Sequence, residues 1–438
     1  MLVIFMMTVM IMCMFIYLSS YQTMNYLLLL ILLTILKSVM NNGELVSEIL
    51  YTDLMSLMMI NLTIWISFLM MLASNFLKVF KNKFFVFYTM MMMMFLILCF
   101  SSENLFMFYL FFESVLFPIV MMIINWGNQP ERLQAGFYML LYTVFGSLPL
   151  LILMLKNNIS LSIIYNNWIF NSMGMIFIFM LLGFLVKIPM FLFHIWLPKA
   201  HVEAPVSGSM ILAGVLLKLG FYGLYRFKSF FFVDLLNYGI IFMLISIWGA
   251  VIISIVCFFQ IDIKSLIAFS SVSHMGIALS GYLTFSLYGS YGMLLMMIGH
   301  GLCSSALFCL SNLIYERFFT RNMFLVKGMM LIFPNLTLWW FFFSVINMSA
   351  PMSMNLFSEL FLSASLMKYN FFFIIPISLL IFLSACYSMY MYSYINHGKS
   401  WILYSSKLIN CREYLLLMLH LFPMLIWFMK MNFFFKFI

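Results

Sequence analysis

Six titratable side chains stand in sequence otherwise apolar enough to lie in lipid: Glu113, Lys187, Lys218, His274, His300 and Glu359. A charged side chain at mid-membrane costs about 2.5–3.5 kcal/mol on insertion scales, so such residues are seldom idle. Carboxylates, amines and imidazoles share one chemistry, the uptake and release of a proton. Burial favours the neutral form of a carboxyl or an amine, whereas an opposite charge nearby favours the ionised form. A Glu–Lys pair whose separation or hydration changes can therefore trade charge states. We read the six as a proton relay.

Glu113 lies in LFMFYLFFESVLFPIV and Lys187 just before Pro189. They suit a charge-trading couple, although a fixed salt bridge between helices would use the same residues. Lys187 could also snorkel to an interface, but Lys199 already supplies a charge at that edge, which favours the relay. Lys218 follows a run rich in small residues, Val206 to Leu217; small residues allow close helix packing, so this lysine faces protein instead of lipid. His274 in SSVSHMGIALSG and His300 in MMIGHGLCSSALF sit among hydroxyl and small side chains. Each suits either a water-linked relay or a hydrogen-bonded helix contact, and their occurrence beside the lysines favours the relay. Glu359 is the natural terminal carboxylate. Asp262 and Lys264 form either a local ion pair or an entrance, while Glu103, Glu131, Arg132, Arg226 and Lys228 read as interface residues. His194, His201 and Glu203 are candidates for proton access.

The elements that must hold these residues follow from composition. Of 438 residues 66% are hydrophobic and 8% charged, too few charges to cover a soluble domain. Apolar runs of about 20 residues succeed one another with short polar gaps, so the chain is an all-α polytopic membrane protein. The short alternating strands of an outer-membrane barrel are absent. The net charge of +9 comes without a basic cluster interleaved with aromatics, so no nucleic acid is expected as partner; the lipid bilayer is. The seven cysteines lack ligand spacing, which argues against metal and disulfides. No phosphate loop, dinucleotide fingerprint, haem motif or iron–sulfur spacing occurs, so no cofactor is expected on this chain. The N-terminus lacks a basic region and a cleavage site and reads as the first span.

We count about fourteen transmembrane helices, at about 2–19, 24–40, 53–75, 84–101, 104–125, 136–155, 174–197, 205–226, 237–259, 264–284, 289–313, 336–365, 370–394 and 414–430. Twelve Lys and Arg residues fall in loops after odd-numbered spans against seven on the other side, which puts the first set in the matrix or cytoplasm. The seventh span is interrupted at Pro189 and Pro198, the twelfth at Pro351. Proline removes a backbone donor, and broken helices at matching positions point to inverted repeats around an ion site. The breaks lie five spans apart. The expected parts are residues 1–83 (helices 1–3), 84–230 (a first five-helix repeat, helices 4–8), 231–395 (a second, inverted repeat, helices 9–13) and 396–438 (a loop and helix 14).

The segments VKIPMFLFHIWLPKAHVEAPVSGSMILAGVLLKLG, QIDIKSLIAFSSVSHMGIALSG and IGHGLCSSALFCLSNLIYER, with FMFYLFFES and NWGNQPERLQAGFYMLLYT, resemble the chain 4 family of mitochondrial NADH–ubiquinone oxidoreductase, respiratory complex I. The likeness runs from about residue 90 to about residue 395, and the rest matches only in hydropathy. The family is similar to subunits of cation/proton antiporters. The resemblance implies two inverted five-helix repeats and a hydrophilic axis, with Glu113, Lys187, Lys218, His274, His300 and Glu359 on the family's relay positions. It implies proton translocation across the mitochondrial inner membrane, coupled to NADH:ubiquinone electron transfer elsewhere in the complex. That complex uses NADH, FMN, iron–sulfur clusters and ubiquinone, with antiporter-like chains 2 and 5 as neighbours among the membrane-arm subunits. The rival readings are a cation/proton antiporter subunit and a structural subunit whose buried ion pairs do not pump. The 46 Met and 53 Phe suit AT-rich coding, as in animal mitochondria.

Overall fold

In lipid a backbone must satisfy its own donors and acceptors, and an apolar chain does so most simply by coiling into helices. The computed structural model describes residues 6–10, 20–40, 44–45, 51–74, 83–127, 129–156, 176–399 and 408–429. Among them ten helices are long and apolar enough to cross a membrane. The expected spans seven and twelve are broken into shorter helices. The last expected span is the helix Cys411–Met429. The first lies mostly outside the described residues, so the count of fourteen is not itself returned. One two-residue antiparallel hairpin, β1 (Glu44–Leu45) with β2 (Tyr51–Thr52), is the sheet structure among the described residues.

The chain packs as two compact units. The first comprises Met1–Ile188 and Glu203–Leu236. It holds α1 (Ser20–Met40), α2 (Leu54–Ser74), α3 (Lys83–Ser101), α4 (Leu105–Ser114), α5 (Leu116–Trp126), α6 (Arg132–Lys156) and α7 (Ile176–Lys187). After α8 (Trp196–Glu203) come α9 (Val206–Ile211), a π-helical turn Leu212–Leu216, and α10 (Leu217–Arg226). The run Val206–Arg226 is wholly buried and forms the core of this unit. A Cβ on Gly220 would sit 2.5 Å from Ile188, and one on Gly223 2.2 Å from the Phe184 ring. The two glycines therefore let α7 lie directly against α10.

At the far end of α10 the structure departs from the sequence reading. Arg226 is buried and forms an ion pair with Asp53, while its Nε donates to the Tyr222 hydroxyl at 2.9 Å. That hydroxyl in turn donates to the Phe100 carbonyl at 2.7 Å. Arg226 is thus an internal tie between α10 and the segment before α2, not a headgroup anchor. A hydrogen bond to Asp53 and burial push the nearby Tyr51 phenol up to about 12. Glu103, in the turn between α3 and α4, is likewise covered by protein, and burial pushes its carboxyl up.

The second unit comprises Pro189–Val202 and Asn237–Ile438. The helix α11 (Lys228–Cys257) leads into it, followed by α12 (Ile263–Tyr282), α13 (Leu287–Phe318), α14 (Met329–Ile332), α15 (Pro334–Asn347), α16 (Met354–Tyr369), α17 (Ile374–Asn396) and α18 (Cys411–Met429). Here α13 is the core helix, buried throughout residues 292–314. Its Gly292, and Gly281 of α12, admit the Leu362 side chain of α16; a Cβ at either would approach it to 2.7 or 2.4 Å. Lys264 is buried at the start of α12, and its neighbour Asp262 forms a backbone bridge to Asn322. The described cysteines are free thiols, four buried, Cys386 half-buried and Cys411 exposed.

Both breaks are tightly turned. Between α7 and α8 Leu192 takes the left-handed conformation, φ 88°. Between α15 and α16 Ser349 and Met352 do the same, with φ 59° and 71°. The Asn355 amide donates to the Ile346 carbonyl at 3.1 Å, tying the two half-helices across the gap. The Ser353 hydroxyl accepts from Leu356 N and caps α16, a contact of the kind worth about 1 kcal/mol.

The last helix is held by a buried pair, Arg317 of α13 with Glu413 of α18, side chains 3% and 6% exposed. Removing one partner of such a pair costs about 3–5 kcal/mol because the other charge stays buried, whereas replacing both by apolar groups is often neutral. Arg317→Leu should therefore lower the thermal stability of the purified membrane assembly, and Arg317→Leu with Glu413→Leu should recover most of the loss. Equal stability of the single variant and the wild type would show that the pair does not hold α18.

Candidate functional site

The six sequence-derived residues divide between the units. In the first, α7 ends at Lys187, 5% exposed, because Pro189 cannot continue the helix ladder. Opposite it, α4 ends at Ser114 and the chain turns at Val115 before α5 begins. Pro118 lies in the first turn of α5, where its missing N–H costs least. Glu113 is the penultimate residue of α4, and its Oε1 is 3.3 Å from Lys187 Nζ. That is ion-pair distance; this Oε1 lacks an aligned hydrogen bond. The ammonium also donates to the Phe112 carbonyl at 2.6 Å and lies 3.0 Å from the centre of the Phe112 ring.

Lys218 belongs to the same unit and is fully buried. It stands two residues after the end of the π-helical turn, and its Nζ donates to the carbonyl of Ala213 in that turn. A π-turn widens the helix and changes which carbonyls its own ladder uses, a distortion often found at functional sites. The small residues Gly208, Ser209, Ala213 and Gly214 that suggested close packing are all buried.

In the second unit α12, α13 and α16 converge. His274 Nδ1 lies 3.4 Å from Glu359 Oε1, and the His274 and His300 ring centres are 5.2 Å apart. All three residues are at most 6% exposed. On the far side of its ring, His274 Nε2 is 3.1 Å from the hydroxyl of Tyr387, which is also 3.3 Å from Ser273 Oγ. With the proton on Nδ1, neutral His274 can donate towards Glu359 and accept from Tyr387, so one tautomer serves both contacts. Protonated, the imidazolium would gain charge attraction from Glu359 and lose the Tyr387 acceptor role. Asn355, one turn before Glu359, is packed with its Oδ1 so close to Gly299 that a Cβ there would fall 2.5 Å away. Gly299 therefore brings the broken segment against α13 beside His300.

The structure thus brings Glu113 to Lys187, and His274 to His300 and Glu359. Of the proton-access candidates, His194 is half-buried beside Phe191, His201 is buried and stacked on Phe308 at 4.5 Å, and Glu203 is buried. Sequence reasoning missed Tyr387. The signal available was a buried stripe of Ser384, Tyr387 and Ser388 on one face of the otherwise apolar α17. It also missed the two roles of Phe112, since a phenylalanine among phenylalanines carries no mark. Among the described residues no His, Cys, Asp or Glu cluster could hold a metal ion.

Residues 1–101 match the family model described as "NADH-ubiquinone oxidoreductase chain 4, amino terminus", and residues 102–384 match "NADH:quinone oxidoreductase/Mrp antiporter, TM". The chain is 64% identical to NADH-ubiquinone oxidoreductase chain 4 of Rhipicephalus sanguineus, over 99% of this chain and 100% of that one. It is 51% identical to the chain 4 protein of Ceratitis capitata, over 85% of each. In fold it is similar to a chain in a solved structure of respiratory complex I from Thermus thermophilus with bound NADH, TM-score 0.90 at 21% identity, covering 99% of this chain and 96% of that one. The likeness to chain 4 proteins thus extends through the first eighty residues as well, where motifs were not legible. The chain belongs to the NADH-ubiquinone oxidoreductase chain 4 family.

Proposed function

We propose that the chain moves protons across the mitochondrial inner membrane through Glu113, Lys187, Lys218, His274, His300 and Glu359, driven by quinone reduction elsewhere in the complex. Family membership makes it a multi-pass membrane subunit of respiratory complex I, with other subunits of that complex as partners. Chains 2 and 5 as neighbours, and FMN and iron–sulfur clusters alongside NADH and ubiquinone in the whole complex, are part of the same proposal. So is the division into inverted repeats at 84–230 and 231–395.

The observation that carries the proposal is the pairing of each of the two relay carboxylates with a titratable base, Glu113 with Lys187 at 3.3 Å and Glu359 with His274 at 3.4 Å. Two unit charges 3.3 Å apart interact by about 5 kcal/mol at an effective dielectric of 20, before desolvation is counted. Opening or closing such a pair changes the free energy of holding a proton on either partner by a comparable amount. In this reading protons enter from the matrix side, are held by Lys187, Lys218 and the histidines, and leave towards the opposite side near Glu359. Glu113 with Lys187 is the coupling couple. Tyr387 joins the line as the hydroxyl that orients His274.

Two other readings rest on specific observations. The larger family match includes Mrp antiporters in its description, so sodium-sensitive transport independent of quinone reduction would favour a cation/proton antiporter. Direct pairing at ion-pair distance would also serve a purely structural arm.

Lys218→Met in the assembled complex should lower protons pumped per electron while NADH oxidation continues, measured in reconstituted vesicles; an unchanged ratio would make the relay wrong. Tyr387→Phe removes one oxygen without changing ring packing and should lower the ratio by a smaller factor. If it pumps as wild type, Tyr387 is outside the line. Neutralising Glu113 and Lys187 together separates pumping from architecture: unchanged pumping with altered assembly would establish the structural reading.

A further inference from the structure

We propose that Phe112 is a positioning residue: its ring and its carbonyl form a neutral seat that holds the Lys187 ammonium independently of Glu113. This deepens the relay reading above and rests on it.

A lysine ammonium has three N–H donors and no acceptor. Lys187 Nζ meets three acceptors of different kinds, the Glu113 carboxylate at 3.3 Å, the Phe112 carbonyl at 2.6 Å and the Phe112 ring face at 3.0 Å. Only the first can change its charge. When Glu113 takes a proton or turns away, the other two partners remain, and they are the shorter contacts. A cation as buried as Lys187, 5% exposed, needs such partners, since the ring quadrupole and the carbonyl dipole replace hydration at a fixed position.

The ring has no freedom to leave. Phe112 is 1% exposed and its ring packs against Phe108, 5.4 Å away, and edge-on against Phe184, 5.8 Å away. Phe184 lies one turn before Lys187 on α7 and is itself fixed against Gly223 of α10. The seat and the lysine are therefore registered by one aromatic stack, whereas Glu113 is more open, its side chain 19% exposed. Fixed cation and mobile anion is the division of labour this geometry gives: Lys187 keeps its place, and the carboxylate is the part that moves.

The test uses the assembled complex in vesicles, with protons pumped per electron measured for Phe112→Leu, Phe112→Met, Phe112→Trp and Phe112→Tyr beside Glu113→Gln. Leu and Met keep an apolar filling without a π face. They should reduce pumping roughly threefold to thirtyfold, the range of a desolvated cation–π contact. At least one aromatic variant should retain wild-type pumping. If the aliphatic variants pump as wild type while Glu113→Gln does not, the seat is wrong and the relay stands. If aromatic and aliphatic variants all lose pumping alike, Phe112 acts by shape alone and the proposal is overturned. If Glu113→Gln pumps normally, the underlying couple fails first, whatever Phe112 does. Should Phe112→Leu not assemble, Phe112→Met, with its flexible chain, carries the aliphatic arm.

Discussion

Inside a membrane a charge without a partner is the most expensive thing a chain can carry, and the architecture here is built around that cost. At least one member of each of the buried pairs lies near the end of a helix. Lys187 is the last residue of α7, Glu113 the penultimate one of α4, and Glu359 follows a break by little more than a turn. Helix ends leave backbone groups unsatisfied, so they are the places where a polar side chain finds extra partners without new penalties. The Phe112 carbonyl taken by Lys187 is an instance, and the Ala213 carbonyl taken by Lys218 is its counterpart inside a helix whose ladder a π-turn disturbs. The glycines do the complementary work, letting neighbouring helices approach where a Cβ would collide.

The fold was legible because hydropathy and length decide it. The broken seventh and twelfth segments were legible because proline removes a backbone donor, although α6 and α18 carry Pro149 and Pro423 without a break. Six candidate residues were visible for the same kind of reason, as titratable groups in apolar surroundings. What composition could not reveal was partnership. Arg226 has the sequence context of a headgroup anchor, yet it is turned inward to Asp53, a residue 173 positions away. Likewise Tyr387 reaches His274 across 113 positions. Such contacts are set by packing of whole helices, and one sequence holds no trace of which faces meet.

Phe112 belongs to a third category. It is apolar, so no rule about buried polarity singles it out, and it has Phe111 beside it. Its part in the site comes from the interruption at Val115, which exposes the end of α4 to the tip of α7. Chemistry that depends on a carbonyl and a ring face becomes visible only once backbone geometry is known.

The tie at the end of α10 has a consequence for where protons cannot go. Lys218, Tyr222 and Arg226 succeed one another at four-residue spacing, one face of a single helix run. A guanidinium does not give up its proton at any physiological pH. In the proposed relay, the face that carries Lys218 therefore ends on a group that neither gives up nor takes a proton, its charge fixed and already balanced by Asp53. In electrical terms that end of the proposed relay is an insulator fitted to the wire.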